Sequence, residues 1–408
     1  MTGRKQFHVN AHYYLALLIA FCLPLARLVP IFIVLMLINW LFEGGLKNKM
    51  HTILKSKIAL LFISFFMIHL LGLIYTENID AGLFDVQVKL SLLIFPLLFV
   101  SKPLNAMRVN AVFVSFIAGG IVCSVIMLSR ALYTYYALGE NNFFYQAFSF
   151  LVHPSYLSMY FNLSISWILL NLFTRKSNHT FSKTISVLVI LFFTFIIVLL
   201  SSKMGLLTLI LIYFGFIIAF IVNRKKYLLG ITSLVVMSVL VFSLIRFVPE
   251  IRDRFNNAVT AMSSSSEDQS QSESTAVRLL IWKAANQVIS ENFLFGAGTG
   301  DAKDALVKEY EKQGMTGALH HKLNAHNEFY QVFVSIGVIG FIVFLLCLVF
   351  PLSEALKASN MLYILFLLIM ILNFVPESMF ETQAGVMFYA FFNSLLCFSN
   401  NKSTNIYI

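Results

Sequence analysis

The chain has 408 residues, of which 59% are hydrophobic and only 12% charged, and its mean hydropathy is +0.82. Those values lie well outside the range of soluble domains and indicate a polytopic membrane protein. The formal charge of +10 does not point to nucleic acid, because Lys and Arg sit in short clusters between apolar runs and form no stripe with interleaved aromatics.

Apolar runs bounded by polar clusters predict an all-α integral membrane protein with about twelve transmembrane helices. They fall near 13–23, 27–42, 57–75, 86–100, 110–136, 150–173, 184–200, 204–222, 227–246, 326–350, 359–375 and 384–398. Pro24, Arg27 and Pro30 leave two readings of the first pair, a tight hairpin or one kinked span. The basic start followed by an apolar run without a small-residue cleavage site reads as a retained membrane segment. Cys22, Cys123, Cys347 and Cys397 all fall inside apolar runs without C-x-x-C spacing, so neither a disulfide framework nor a zinc site is expected.

Orientation follows from the loops. One alternate set holds 16 Lys or Arg, and the opposite short loops hold only Arg27 and Lys203. The first set is therefore expected in the cytoplasm, with both termini inside. The long hydrophilic segment 247–325 then lies outside, with spans one to nine before it (1–246) and spans ten to twelve after it (326–408). It carries 8 basic and 10 acidic residues, as a mixed-charge folded segment would. Within it, "SSSSEDQSQSEST" (263–275) has the composition of a flexible linker. No repeat relates the two halves, which argues against a transporter of two six-span units.

The unusual polar residues gather on the outer side. Lys203 in "LLSSKMGLL" stands in a short turn without support from the positive-inside bias, so it requires an anion or a snorkelling conformation. In "STAVRLLIWKAANQVISENFLFGAGTGDA" a helix capped by Ser274 or Thr275 carries Arg278 and Trp282 one turn apart; Arg278 suits an ion pair or a phosphate. The following Gly296, Gly298 and Gly300 lack the strand of a dinucleotide loop and suit a turn whose backbone approaches a neighbour. Glu377 and Glu381 share a face if their segment is helical, either exposed to water or orienting basic groups or an acceptor sugar. His153 and Arg130 lie near outer span ends, where anchoring is the simpler role. In "KLNAHNEFYQVF", Asn324 is the expected N-cap, which puts His326 in the first turn of span ten, followed by Asn327 and Glu328.

Four segments together, "LLSSKMGLL", "RLLIWKAANQVI" with "LFGAGTGD", "NAHNEFYQVFVSIGVIGFIVFLL" and "PESMFETQAGVMFYAFFNSLL", resemble the O-antigen ligase and polymerase family of bacterial inner-membrane glycosyltransferases. The resemblance covers most of the chain. It implies a fold related to the GT-C glycosyltransferases, with the site facing the periplasm and no metal or other cofactor. The donor implied is a glycan on undecaprenyl diphosphate. Ligases move it to a sugar of lipid A-core, and polymerases to another lipid-linked repeat. The family histidine corresponds to His326 and its loop arginine to Arg278. Its membrane-edge Ser-Arg step is matched by Ser202 and Lys203, a departure that keeps the charge and loses the bidentate fork. His326 is thus the expected base and Arg278 and Lys203 the diphosphate contacts. Asn327, Glu328, Glu377, Glu381 and His153 are candidates for orienting the base or binding the acceptor. The short remaining outer loops favour a ligase over a polymerase; transfer to protein hydroxyls and a flippase or transporter are the other readings.

Overall fold

The computed structural model describes residues 3–173, 182–253, 256 and 275–399, which form helices joined by turns, with no strand among them. Helix α1 (Gly3–Cys22) turns through a short 3-10 segment into α2 (Val29–Phe42), and the two pack along each other as a hairpin. Two helices therefore occupy the region that the sequence left open, and α1 begins well before residue 13. Pro24 and Pro30 each sit in the first turn of their element, where no backbone N–H is needed.

The chain continues through α3 (Leu46–Lys55), α4 (Lys57–Leu71), α5 (Ile79–Lys89), α6 (Ser91–Ser101), α7 (Ala106–Tyr133), the single turn α8 (Tyr145–Phe148) and α9 (Pro154–Phe173). Next come α10 (Lys183–Leu200), α11 (Lys203–Arg224), α12 (Tyr227–Phe247), α13 (Thr275–Glu291), α14 (Ala302–Lys312) and α15 (Thr316–His320). The last three are α16 (Glu328–Lys357), α17 (Met361–Phe374) and α18 (Gln383–Phe398). Most of the Ser-rich stretch, including the candidate cap Ser274, lies outside the described residues, and α13 is described from Thr275.

Among the described residues, eight helical units are long and apolar enough to cross a membrane, or nine if α2 and α3, bent by 112°, form one span. This is an integral membrane protein. Three of the twelve expected spans correspond to shorter apolar helices: 230–240 within α12, α17 and α18. At about 1.5 Å per residue, the 14 residues of α17 cover roughly 21 Å, short of a hydrocarbon core of about 30 Å.

Helix α9 is buried along nearly its whole length and packs against α7, α10, α11 and α17. Lipid is as apolar as these side chains, so such a centre is held by close packing and interhelical polar contacts. Trp167 stacks on Phe113 with centroids 5.7 Å apart, Tyr160 stacks on Phe388 at 4.4 Å, and Asn162 Nδ2 donates to the Gly205 carbonyl at 2.9 Å.

A second core joins α13, α14 and α15 through Val277, Ile281, Val288, Leu306, Tyr310 and Met315, and reaches Val334 of α16. Where they meet, α16 is broken: Ile336 and Gly337 leave helical geometry, with Gly337 at φ +63°. The N–H groups of Ala297 and Gly298 donate to the freed carbonyls of Val334 and Ser335 at 2.8 and 3.1 Å, and Val338 N–H donates to Phe293 O at 2.9 Å. A Cβ on Gly296 or Gly337 would stand 2.4 to 2.6 Å from backbone atoms of the other segment. The Gly-rich turn thus lets backbone seat against backbone, and non-helical chain is satisfied as a membrane interior requires.

Candidate active site

Three helix starts and the described N-terminal part of α13 surround one cavity of ≈ 110 Å³. Ser155 comes from the start of α9, Ser202 and Lys203 from the start of α11, Val277 and Arg278 from the first described turn of α13, and His326 from just before α16. Tyr145, Gln146, His153 and Glu377 complete its polar lining. Each helix N-terminus carries about half a positive charge.

Local sequence explains the placements. Ser201 closes α10 in the left-handed conformation at φ +47°, and the Ser202 hydroxyl accepts the Gly205 N–H as the N-cap of α11. The chain reverses within this turn and leaves Lys203 at the head of α11, where its Nζ donates to Thr275 Oγ1 at 3.2 Å. Around His326 the structure corrects the expected cap. Asn327 caps α16, its Oδ1 accepting the N–H groups of Phe329 and Tyr330 at 2.9 and 3.2 Å. His326 precedes it at φ +44°, a conformation that no first-turn residue can hold. Asn324 Oδ1 instead accepts the His326 N–H at 3.0 Å and steadies this uncommon backbone.

Glu377 connects the cavity's charged groups. Its Oε1 accepts from Arg278 Nη2 at 3.0 Å and lies 3.5 Å from Ser155 Oγ, while its Oε2 lies 3.7 Å from His326 Nδ1. Burial pushes the Glu377 carboxyl up, but His326, Arg278 and His153 more than offset this and hold it below the usual carboxylate range. His153 Nδ1 accepts the Ser155 N–H at 3.4 Å, which turns its other ring nitrogen into the donor. Arg130 stays apart from the cavity, stacked 4.2 Å above the Phe150 ring as an anchor.

The structure therefore brings together His326, Arg278, Lys203, His153 and Glu377 in one cavity, and keeps Asn327, Glu328 and Glu381 out of its lining. Glu377 and Glu381 part because the chain between α17 and α18 holds only a 3-10 turn, Met379–Glu381. Glu381 faces Lys89 at 3.3 Å, and the fully buried Glu328 accepts the Phe380 N–H at 2.8 Å. Sequence reasoning passed over Tyr145, Gln146, Ser155 and the lysine at 89; the last carried a signal, being an ionisable residue in an apolar run. Among the described residues no group of three His, Cys, Asp or Glu could hold a metal ion.

Helix starts, two cations and a carboxylate-backed histidine meet in one cavity of a multi-pass membrane protein, an arrangement that suits an anionic ligand. Residues 187–345, which carry Lys203, Arg278 and His326, match the model of the family described as O-Antigen ligase (Wzy_C). That segment, under half of the chain, is similar to the O-antigen ligase family. A protein of Haemophilus influenzae (strain Rd), described as an uncharacterized protein, is 25% identical over 158 residues, which is 36% of this chain and 39% of that one. The match thus spans well under two thirds of that relative's length.

Proposed function

We propose that the protein is an O-antigen ligase, transferring a glycan from undecaprenyl diphosphate to a sugar hydroxyl of lipid A-core. The observation that carries this reading is one cavity in which three helix N-termini, Lys203 and Arg278 surround a histidine backed by Glu377. A diphosphate suits the positive half of that set, and a hydroxyl nucleophile suits the histidine, the side chain that exchanges protons near neutrality.

In the proposed step the acceptor oxygen attacks the anomeric carbon and its proton passes to His326. The bond from that carbon to the diphosphate oxygen breaks with its electron pair. Inversion follows from attack opposite the leaving group. Arg278 and Lys203 stabilise charge growing on the departing undecaprenyl diphosphate, and Glu377 holds the His326 ring and the Arg278 fork. The cavity wall of Tyr145, Gln146 and His153 takes the acceptor sugar. No cofactor is required by this step, because a diphosphate is already a good leaving group.

The reading includes twelve spans, both termini in the cytoplasm of a bacterial inner membrane, and a site facing the periplasm. Its test is transfer in membranes from purified lipid-linked donor. His326→Ala should lower the rate by about 10²- to 10⁴-fold with expression intact, and normal product would remove the base. Arg278→Ala should weaken donor use; unchanged donor dependence would remove it from the site. Deletion in the host followed by lipopolysaccharide electrophoresis separates the alternatives. Loss of all long chains marks a ligase, core carrying one repeat marks a polymerase, and a lost glycoprotein marks transfer to protein.

A further inference from the structure

The segment that supplies Glu377 is fastened to the segment that supplies His326 at successive points. His326 Nδ1 lies 3.7 Å from Glu377 Oε2. One residue on, the Asn327 N–H donates to Ser378 Oγ at 3.1 Å, and the next, Glu328, accepts the Phe380 N–H at 2.8 Å. The far end of the clasp is Glu381, held at 3.3 Å by Lys89 of α5. Lys89 is 2% exposed and also bonds Asp85 one turn earlier, and His69 of α4 stands 3.8 Å from the same carboxylate. None of Lys89, Asp85, Glu381 or Glu328 lines the cavity.

Burying an ammonium group beside two carboxylates is costly, and packed hydrophobic residues of similar volume usually serve stability as well or better. What the ion pair supplies is location. Phe380 is wedged between the rings of Phe374 and Tyr389, at 5.1 and 5.0 Å, so the turn that Lys89 grips cannot slide freely along the bundle. His326 depends on that turn, since its Nδ1 has no closer hydrogen-bond partner than Glu377. At 3.7 Å the pair sits between a hydrogen bond and separation, and a shift of about 1 Å decides which it becomes.

We propose that Lys89 is a positioning residue for the His326–Glu377 pair, acting through Glu381 and the 376–382 connection. The kinetic part of its test rests on the transfer reaction proposed above; the labelling part does not.

Lys89→Met should lower kcat by about 10- to 100-fold, a loss of the size that misplacement near 1 Å produces, with donor and acceptor KM within about twofold. In a Glu377→Gln background the same change should lower kcat by less than about twofold, because the route it acts through is already cut. Equal losses in both backgrounds, or a loss confined to KM, would overturn the proposal. Where Lys89→Met is not recovered as a monodisperse species, Glu381→Gln, which keeps the Asp85–Lys89 pair, runs the same cycle. In parallel, full-length protein without donor is treated with diethyl pyrocarbonate and mapped by mass spectrometry. The modification rate of His326 should change by at least about threefold in Lys89→Met and Glu381→Gln, the scale of a modest coupling energy, with His321 unchanged. An unaltered His326 rate would also overturn it. If His326→Ala transfers normally, the reaction reading falls and the labelling still decides the positioning role.

Discussion

Replacing Glu377 by Gln removes the negative charge that Arg278 and His326 share, so both lose an anchor in one step. The transfer rate should fall, and the pH dependence of stability should change in a defined sense. The folded pKa of Glu377 is depressed, so its contribution is fully present above the unfolded carboxylate value of 4.5 and is lost as pH falls through the lower folded value. Melting temperature in detergent should therefore drop more steeply below about pH 4.5 for the wild type than for Glu377→Gln. Parallel curves would show that the ion pair contributes nothing. Lys203 yields a separate expectation. As a point charge on the diphosphate it should contribute about 1.5–3 kcal/mol, so Lys203→Ala should raise donor KM by roughly 10- to 100-fold and leave acceptor KM alone. Lys203→Arg should keep donor affinity, since it restores a fork without losing charge; a large loss would mean that Lys203 serves only its bond to Thr275. Lys203, Arg278 and His326 stood out in the sequence as polar residues beside apolar runs, although the cap that was expected to place His326, Asn324, is not the one that starts α16. The separation of Glu377 from Glu381 was not legible, since four-residue spacing predicts a shared face only where the chain is helical. The grip of Lys89 on Glu381 spans 292 residues and leaves no local pattern to find.

Apolar runs marked most helices of the bundle because a bilayer demands long unbroken stretches with all backbone groups bonded internally. They did not mark how α16 breaks. Its Gly337 sits in a run that reads as continuous helix, and only the distant turn at residues 293–298, which supplies the missing hydrogen-bond partners, makes the break affordable. The short lengths of α17 and α18 were by contrast legible, since the apolar runs at 359–375 and 384–398 nearly coincide with them. Gly337→Ala tests this junction. The new methyl would stand 2.4 to 2.5 Å from the Leu294 carbonyl and the Gly296 nitrogen, at φ +63°, so either the break or the turn must move. Strain of this kind costs about 1–3 kcal/mol, and the melting temperature should fall by several degrees, with transfer falling too as α13 and its Arg278 are displaced. Gly215→Ala on α11 is the control, since its methyl would meet nothing within 4 Å. An equal melting temperature for Gly337→Ala would show that the two segments are not coupled.

At the scale of the whole molecule, one question governs the chemistry: which side of the membrane the cavity faces. An outward cavity meets no nucleotide sugars, so the only activated leaving group it can use is one that arrives on a lipid, and a diphosphate-linked glycan is such a donor. An inward cavity would remove that constraint and with it the main reason to expect a lipid-linked substrate. The loop charges argue for outward, since 16 Lys or Arg fall on the side away from Lys203 and Arg27. Chemical labelling can decide it, because Cys22, Cys123 and Cys347 are buried and Cys397 is half-buried, which keeps the background low. Asn48, Asn141 and Gln313 are natural reporters: the first lies near the Lys49–Glu43 cluster at the start of α3, the second between α7 and α8, and the third at the end of α14. Single cysteines at 141 and 313 should react with a membrane-impermeant maleimide in intact spheroplasts, and a cysteine at 48 only after permeabilisation. The reverse pattern would place His326 and Glu377 in the cytoplasm and withdraw the ligase reading, whatever the mutants show about rate.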